Sequence, residues 1–162
     1  MTAIIGVDPG TTTGIFAASV SIVDTLRDRK VRTDYRAYEL DASKAFAVMR
    51  LQLDRLRDPT VVCEHYIITQ RTARLTQQPA ALEVIGALRQ LCADHGVHFR
   101  LQMKSDAAHI AKNAVLKRIG WYQSGQDHAN DAARHALLGL ASVDPPAFSA
   151  LLSFGSIVST SR

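Results

Sequence analysis

The sequence predicts an α/β fold in which a five-stranded mixed sheet is flanked by helices, in the order β-β-β-α-β-α-β-α. Apolar or alternating runs fill the first forty residues, as in a set of strands. From residue 45 onward, stretches with helical spacing alternate with short apolar runs, and turn residues separate them. The chain has 162 residues, of which 47% are hydrophobic. This is enough for one domain with its own core.

The first three strands are predicted to form an antiparallel meander at 3–7, 15–23 and 33–40. The remaining elements follow from helical spacing, short apolar runs and breaking residues such as Pro59 and Gly96. They are a helix at 45–56, a strand at 60–63, a polar loop at 69–78, a helix at 79–95, a strand at 97–101, a basic helical or irregular stretch at 105–117 and a last helix at 127–141. We expect one domain over 1–142. The tail, 143–162, is predicted to be either a docking helix or a flexible end.

The helix predicted at 79–95 is apolar on nearly every side. Such a helix must be covered on two sides, by a neighbouring element or by a second subunit. We favour a second subunit and therefore expect a homodimer through this helix. Ile85 and Leu88 are the candidates for its outward face.

Three carboxylates occupy positions where a fold of this kind can bring them together. Asp8 ends the first strand, Glu64 ends the fourth, and Asp131 lies in the first turn of the last helix. His128 lies three residues before Asp131, on the same helix face. These ligands suit Mg²⁺ or Mn²⁺. Two such ions about 4 Å apart could activate water and stabilise a departing oxygen in phosphodiester hydrolysis. Alternatively, His128 and Asp131 are an ordinary capping or surface pair.

Neighbouring polar residues are assigned structural roles. Asp127 is predicted to be the N-cap of the last helix. His135, one turn beyond Asp131, is interpreted as packed or exposed rather than as a ligand. His65 should point to the opposite side of its strand from Glu64. The two cysteines, Cys63 and Cys92, form no zinc motif and are interpreted as buried thiols.

The net charge of +4 is unevenly distributed. Residues 69–118 contain eight basic and three acidic side chains, whereas residues 1–68 contain nine of each. A basic segment beside acidic site residues indicates a polyanionic substrate such as DNA, although a plain solvated face would look similar. No apolar run is long enough for a membrane span and no export signal is evident, so a cytoplasmic protein is expected.

Three motifs resemble the RuvC family of Holliday-junction resolvases, which have a ribonuclease-H-like fold and act as dimers on four-way DNA junctions. The motifs are G-V-D-P-G-T-T-T-G, V-V-C-E-H-Y and H-A-N-D-A-A-R-H-A, and the resemblance covers about residues 1–142. It implies a crossover junction endodeoxyribonuclease that uses two Mg²⁺ or Mn²⁺ ions per active site. The implied catalytic and metal-binding residues are Asp8, Glu64, His128 and Asp131. Histidine or aspartate is found at the third position among relatives. The divergence suits a bacteriophage or distant bacterial member.

The resemblance also has departures. Bacterial resolvases carry a base-contacting aromatic residue three positions after the strand glutamate, where this chain has Ile67, with Tyr66 adjacent. Basic residues ahead of the last helix are expected to hold the DNA strand, together with those of the loop. The candidates are Arg71, Arg74, Lys104, Lys112, Lys117 and Arg118.

Three alternatives remain at this stage. A ribonuclease-H-like or YqgF-like nuclease acting on forks, flaps or RNA would use the same carboxylates. A non-catalytic junction-binding protein could keep the fold. The D-x-G-T-T opening also occurs in actin-like and sugar-kinase ATPases, but those enclose nucleotide between two lobes, so no nucleotide cofactor is expected here.

Overall fold

The structure of the protein, a computed structural model, describes residues 1–24, 29–68 and 78–158. The first half of the chain contains β1 (Thr2–Asp8), β2 (Thr12–Asp24), β3 (Arg29–Asp41), α1 (Ala42–Arg55) and β4 (Thr60–Glu64). The second half contains α2 (Gln78–Asp94), β5 (Phe99–Gln102), α3 (Lys104–Ile110), α4 (Asn113–Arg118), α5 (Asp127–Val143), α6 (Pro145–Phe154) and β6 (Ile157–Val158). The predicted α/β fold and its five-stranded mixed sheet are confirmed, and β6 adds a sixth strand of two residues.

The strands form one sheet in the order β5-β4-β1-β2-β3-β6. β1, β2 and β3 are antiparallel neighbours, as the meander predicts, whereas β4 and β5 run parallel to β1. The parallel register pairs Val7 with Cys63 and Glu64 with Gln102. The C-terminal ends of β1, β4 and β5 therefore lie next to one another, along the edge of the sheet that runs across the strand ends.

Alternating strand residues fill two cores, one on each face of the sheet. Ile4 and Phe16 pack on the face covered by α5 and α6, together with Trp121. Ile5 and Ile15 pack on the face covered by α1 and α2. This alternation is the period-two pattern of a strand buried on both sides.

The helix α5 lies directly against β1 and β2 because two strand residues have no side chain. A Cβ atom at Gly6 would lie 2.0 Å from the carbonyl oxygen of Ala132. At Gly14 it would lie 1.9 Å from the carbonyl oxygen of His128. No larger residue fits either position, so the strand-to-helix distance is set by backbone contact.

The helix α2 presents one apolar face to the sheet. Ile85 and Leu88 are 8% and 2% exposed and belong to the core. The expectation that one of them faces outward is wrong, because both lie on the stripe that packs against the sheet. Leu82 and Ala87 are instead among the exposed residues of α2. Ala87 also lines an open apolar groove of about 350 Å³ between α1 and α2, beside Phe46.

The first part of the tail docks on the domain. Asp144 accepts a hydrogen bond from the Ala147 N–H (3.0 Å) and caps α6. Ala147, Ala150 and Leu151 are buried in the same core as α5. Of the two alternatives left by the sequence, residues 145–154 therefore adopt the docking helix. Among the described residues, no helix combines the length and apolar character needed to cross a bilayer.

Candidate active site

Asp8 and Glu64 lie side by side at one edge of the sheet. They follow the paired residues Val7 and Cys63 at the ends of two parallel strands. Their carboxylates are close enough for each to change the pKa of the other. The arrangement follows from topology, since parallel neighbours end at the same edge.

The first turn of α5 brings His128 and Asp131 to the same place. His128 Nδ1 lies 2.7 Å from Asp8 Oδ2. The His128 backbone N–H donates to Glu39 Oε2 (3.2 Å), so a β3 side chain satisfies one free donor of this turn. Gly14, which allows β2 to contact the His128 backbone, brings the turn close to the sheet. The four residues singled out by the sequence are thus assembled in one cluster.

Lys104 links the two other carboxylates of this cluster. Its Nζ atom lies 2.9 Å from Asp131 Oδ2 and 3.5 Å from Glu64 Oε2. The ammonium lies at the start of α3, directly after β5. It supplies positive charge between two acidic side chains that would otherwise repel each other.

Arg134 fixes the other side of Asp131. Its guanidinium forms an ion pair with Asp131 three residues earlier on α5. Its Nε donates to the carbonyl oxygen of Ala111 (3.0 Å), and its Nη2 donates to Asn113. The connection between α3 and α4 is thereby tied to the acidic cluster.

The environment shifts the pKa values of the two strand carboxyls in opposite directions. Burial raises the pKa of Asp8, with a further rise from the charge of Glu64, and these outweigh the lowering by His128 and Lys104. Burial alone would raise the pKa of Glu64 as well. Contacts with His135 and Lys104 outweigh that penalty, so the pKa of Glu64 is lowered.

His135 is the site residue that sequence reasoning missed. Its ring is 1% exposed, and Nε2 lies 3.4 Å from Glu64 Oε2. The interpretation as a packed residue is correct, but the ring packs against Glu64, which is one of the predicted metal ligands. Its spacing of seven residues from His128 places it on the same helix face, which is a signal that could have been used.

The donor set fits Mg²⁺ or Mn²⁺ in type, because three carboxylates and one imidazole converge where burial and mutual repulsion favour a bound cation. In the part of the chain that the structure describes, no group of three or more His, Cys, Asp or Glu side chains is arranged to hold a metal. Lys104, Arg134 and His128 instead contact the carboxylate oxygens. Metal binding would therefore require these contacts to rearrange.

The remaining predicted residues are distributed around this cluster. Lys112, Lys117 and Arg118 are exposed near or on α4, and Lys117 Nζ lies 4.7 Å from the centre of the Tyr122 ring. Arg71 and Arg74 lie outside the described residues, as does most of the predicted loop 69–78. Asp127 is the first residue of α5 and not its N-cap: the backbone carbonyl oxygen of Gln126 accepts from the Asn130 N–H (3.0 Å), so Gln126 is the N-cap.

The residues after Glu64 are divided between core and surface. Tyr66 packs against the core beneath α1 and α2, whereas Ile67 and Ile68 are 44% and 55% exposed. His65 is exposed. The surface next to the acidic cluster is therefore aliphatic at this point.

Comparison with known proteins finds likeness at the level of structure. No family model and no curated protein matches the sequence. RuvC of T. thermophilus in complex with Holliday junction substrate matches with a TM-score of 0.64 and 16% identity, over 88% of this chain and 97% of that one. A second Thermus thermophilus RuvC structure matches with a TM-score of 0.56 and 17% identity, over 83% and 91%. Fowlpox virus resolvase, in complex with Holliday junction DNA, matches with a TM-score of 0.51 and 12% identity, over 86% and 99%. The fold of this chain is therefore similar to the folds of these RuvC and resolvase structures.

Proposed function

We propose that the protein is a metal-dependent, structure-selective endonuclease that resolves Holliday junctions. The observation that carries this proposal is the convergence of Asp8, Glu64, Asp131 and His128 at one edge of a resolvase-type sheet. They come from three segments that are far apart in sequence, and the positions of these segments in the fold bring them together. Two of the similar structures contain Holliday junction DNA, which supports the same substrate for this chain.

In this proposal Asp8, Glu64, His128 and Asp131 hold two Mg²⁺ or Mn²⁺ ions. When bound, the ions supply an activated water and stabilise the departing oxygen of the phosphodiester. Asp8 is the most buried ligand, with a side chain 8% exposed, so it serves as the fixed central ligand. Lys104, released from Glu64 and Asp131, would be free to pair with a DNA phosphate.

The proposed DNA-binding surface is basic. It comprises Lys104, which contacts the acidic cluster, and Lys112, Lys117 and Arg118, which follow along the chain near or on α4. Arg71 and Arg74 are proposed to add to it from the loop after β4. Contacts of these side chains with phosphates would supply most of the affinity without selecting a base sequence.

A homodimer is part of the proposal, because symmetric cutting of a junction needs two active sites. The apolar groove between α1 and α2 is the surface that we assign to the partner copy. It exposes Phe46 and Ala87, and its lining is mainly aliphatic. A patch of this kind that meets its own copy forms a closed two-fold interface. We expect the dimer to act in the cytoplasm, where chromosomal or phage DNA would be available.

A second candidate is a nuclease of the same chemistry that acts on forks, flaps or RNA strands. Ile67 favours it, since an aliphatic side chain stands where bacterial resolvases carry an aromatic one. Stacking on bases is weaker for an aliphatic side chain than for an aromatic ring. The carboxylates themselves do not discriminate between the two substrates.

One experiment separates these functions. The protein is incubated with labelled four-way junction, replication fork, 5′ flap, RNA–DNA hybrid and linear duplex, in Mg²⁺ and in Mn²⁺, and the nicks are mapped. We expect paired nicks on opposed strands of the junction. Asp8→Asn and Asp131→Asn should lower cleavage by at least about a hundredfold, because a metal site contributes several kcal/mol, while junction binding is kept. Preferential cutting of another substrate would select the second candidate, and cutting at wild-type rate by both variants would refute the site.

A further inference from the structure

A buried histidine stands behind Glu64 and is not among the proposed ligands. His135 lies one turn beyond Asp131 on α5, and its ring is almost completely buried. Its Nε2 atom is 3.4 Å from Glu64 Oε2, and its Nδ1 atom is 3.1 Å from the amide of Gln102. The ring therefore bridges the end of β4 and the end of β5.

The orientation of the Gln102 amide follows from its other neighbours. With the nitrogen toward His135, the amide donates to the His135 carbonyl oxygen and to Nδ1, both at 3.1 Å. Its oxygen then accepts from the Gly139 N–H at 3.2 Å. The opposite orientation places oxygen against acceptors and nitrogen against donors. Only the first orientation satisfies all of these groups.

This orientation decides where the imidazole carries its proton. Because Gln102 donates to Nδ1, that nitrogen must be an acceptor. The ring proton is then on Nε2, which faces the Glu64 carboxylate. The backbone of α5 holds Gln102, and Gln102 in turn fixes the tautomer of His135.

We propose that His135 is a positioning residue for Glu64, with its Nε2–H donating to Oε2 and its tautomer fixed by Gln102. The inference rests on the proposed function, in which Glu64 is a metal ligand. One Glu64 oxygen would be occupied by His135, which limits rotation of the carboxylate and leaves its other oxygen for the metal. Hydrogen-bonding partners behind metal ligands typically contribute 10–100-fold to metal affinity.

The first test reads the tautomer directly and needs neither metal nor DNA. The six histidines are labelled with ¹⁵N, and His135→Gln assigns the His135 ring by loss of its signals. We expect the shifts of a ring protonated on Nε2 alone. Gln102→Leu, which removes the amide donor, should weaken that preference. A wild-type ring protonated on Nδ1, or on both nitrogens, would overturn the proposal.

The second test measures Mn²⁺ affinity by titration calorimetry. His135→Leu removes the donor and should weaken Mn²⁺ binding by about 10–100-fold. His135→Gln restores an N–H near the position of Nε2 and should keep most of the affinity. His95→Leu, at the end of α2, is the matched control and should bind Mn²⁺ as wild type does. Equal affinities for His135→Leu and wild type would refute the positioning role.

The two tests also separate this inference from the proposed function. If His135→Leu does not fold, His135→Gln and Gln102→Leu decide the matter, since the first should keep Mn²⁺ affinity and the second should lose it. Should the affinities follow this order while the wild type cuts no nucleic acid, the proposed function fails and the positioning role stands. If instead the wild type cuts a junction but binds Mn²⁺ no better than His135→Leu, the proposed function stands and the positioning role fails.

Discussion

His128 Nδ1 lies 2.7 Å from Asp8 Oδ2, so the helix ligand and the strand ligand are directly paired. The pairing lowers the pKa of Asp8 against the larger effect of burial. It also means that the imidazole holds the oxygen that the proposed metal would need. The nature of the residue at 128 should therefore influence both metal affinity and metal preference.

We expect His128→Asp to remain active, with its preference moved from Mn²⁺ toward Mg²⁺. A carboxylate is a harder ligand than imidazole and suits the harder ion. His128→Ala, which supplies no ligand, should be much less active with both metals. Cleavage rates measured across Mg²⁺ and Mn²⁺ titrations check this. Equal rates for His128→Ala and wild type in both metals would place His128 outside the site.

Asp8→Asn and Glu64→Gln should change the stability of the metal-free protein in opposite directions. The pKa of Asp8 is raised on folding, so its ionisation costs stability at every pH above that raised pKa. Asp8→Asn should therefore raise Tm at pH 7, and the gain should vanish below the unfolded-state pKa of about 3.9. The pKa of Glu64 is lowered, so its ionised form stabilises the fold above an unfolded-state pKa of about 4.3.

Glu64→Gln should accordingly lower Tm at pH 7, and the loss should disappear as the pH falls through the lowered pKa. Thermal melts in a chelator from pH 3 to pH 8 measure both effects. In a chain of this length, about 1 kcal/mol corresponds to about 2–4 °C. Shifts of the same sign for the two variants would contradict the electrostatic account.

Lys104→Gln should bind Mn²⁺ more tightly and yet cleave more slowly. The ammonium contacts Glu64 Oε2 and Asp131 Oδ2, so its positive charge opposes a metal ion bound by the same two carboxylates. Because Lys104 is 60% exposed, solvent screens the effect, and we expect a gain of roughly threefold to tenfold in affinity. Calorimetry and single-turnover cleavage test the two parts separately. Lys112→Gln, which also removes one exposed charge, is the control for general loss of DNA affinity.

The wild type should be a dimer of about 35 kDa by light scattering, twice the chain mass of 17.7 kDa. Phe46→Glu and Ala87→Glu place a charge in the apolar groove and should give folded monomers. These monomers should lose paired nicking before they lose binding to duplex. Leu51→Glu lies on α1 outside the groove and should remain a dimer. A monomeric wild type that still makes paired nicks would exclude this interface.

The sequence was sufficient for the fold because each element carries a local signal. The β1 run, the turn after Asp8 and the helical spacing of α5 depend on residues that are neighbours in the chain. The same signals placed Asp8, Glu64 and Asp131 at element ends. The outward face of α2 could not be obtained this way, since Ile85 and Leu82 are equally apolar and only the sheet decides which is buried.

The roles of Gln102, His135 and Glu39 depend on distant pairing and left no local pattern. Gln102 reaches His135 because β5 pairs with β4 in one particular register. Glu39 reaches the His128 N–H because β3 ends beside the start of α5. An N-cap is normally supplied by a residue at the start of its own helix, so the sequence predicts Asp127 for this role and gives no signal for Glu39.

The contacts at Gly6 and Gly14 determine how the active site can tolerate sequence change. Because backbone touches backbone there, the separation of Asp8 from His128 and Asp131 does not depend on how well neighbouring core side chains fit. Mutational drift elsewhere in the core can lower stability while the ligand geometry stays constant. A single methyl group at either glycine would push α5 away from the sheet, at β1 for Gly6 and at β2 for Gly14. The absence of a side chain at these two positions therefore constrains the ligand geometry more directly than the packing of the core does.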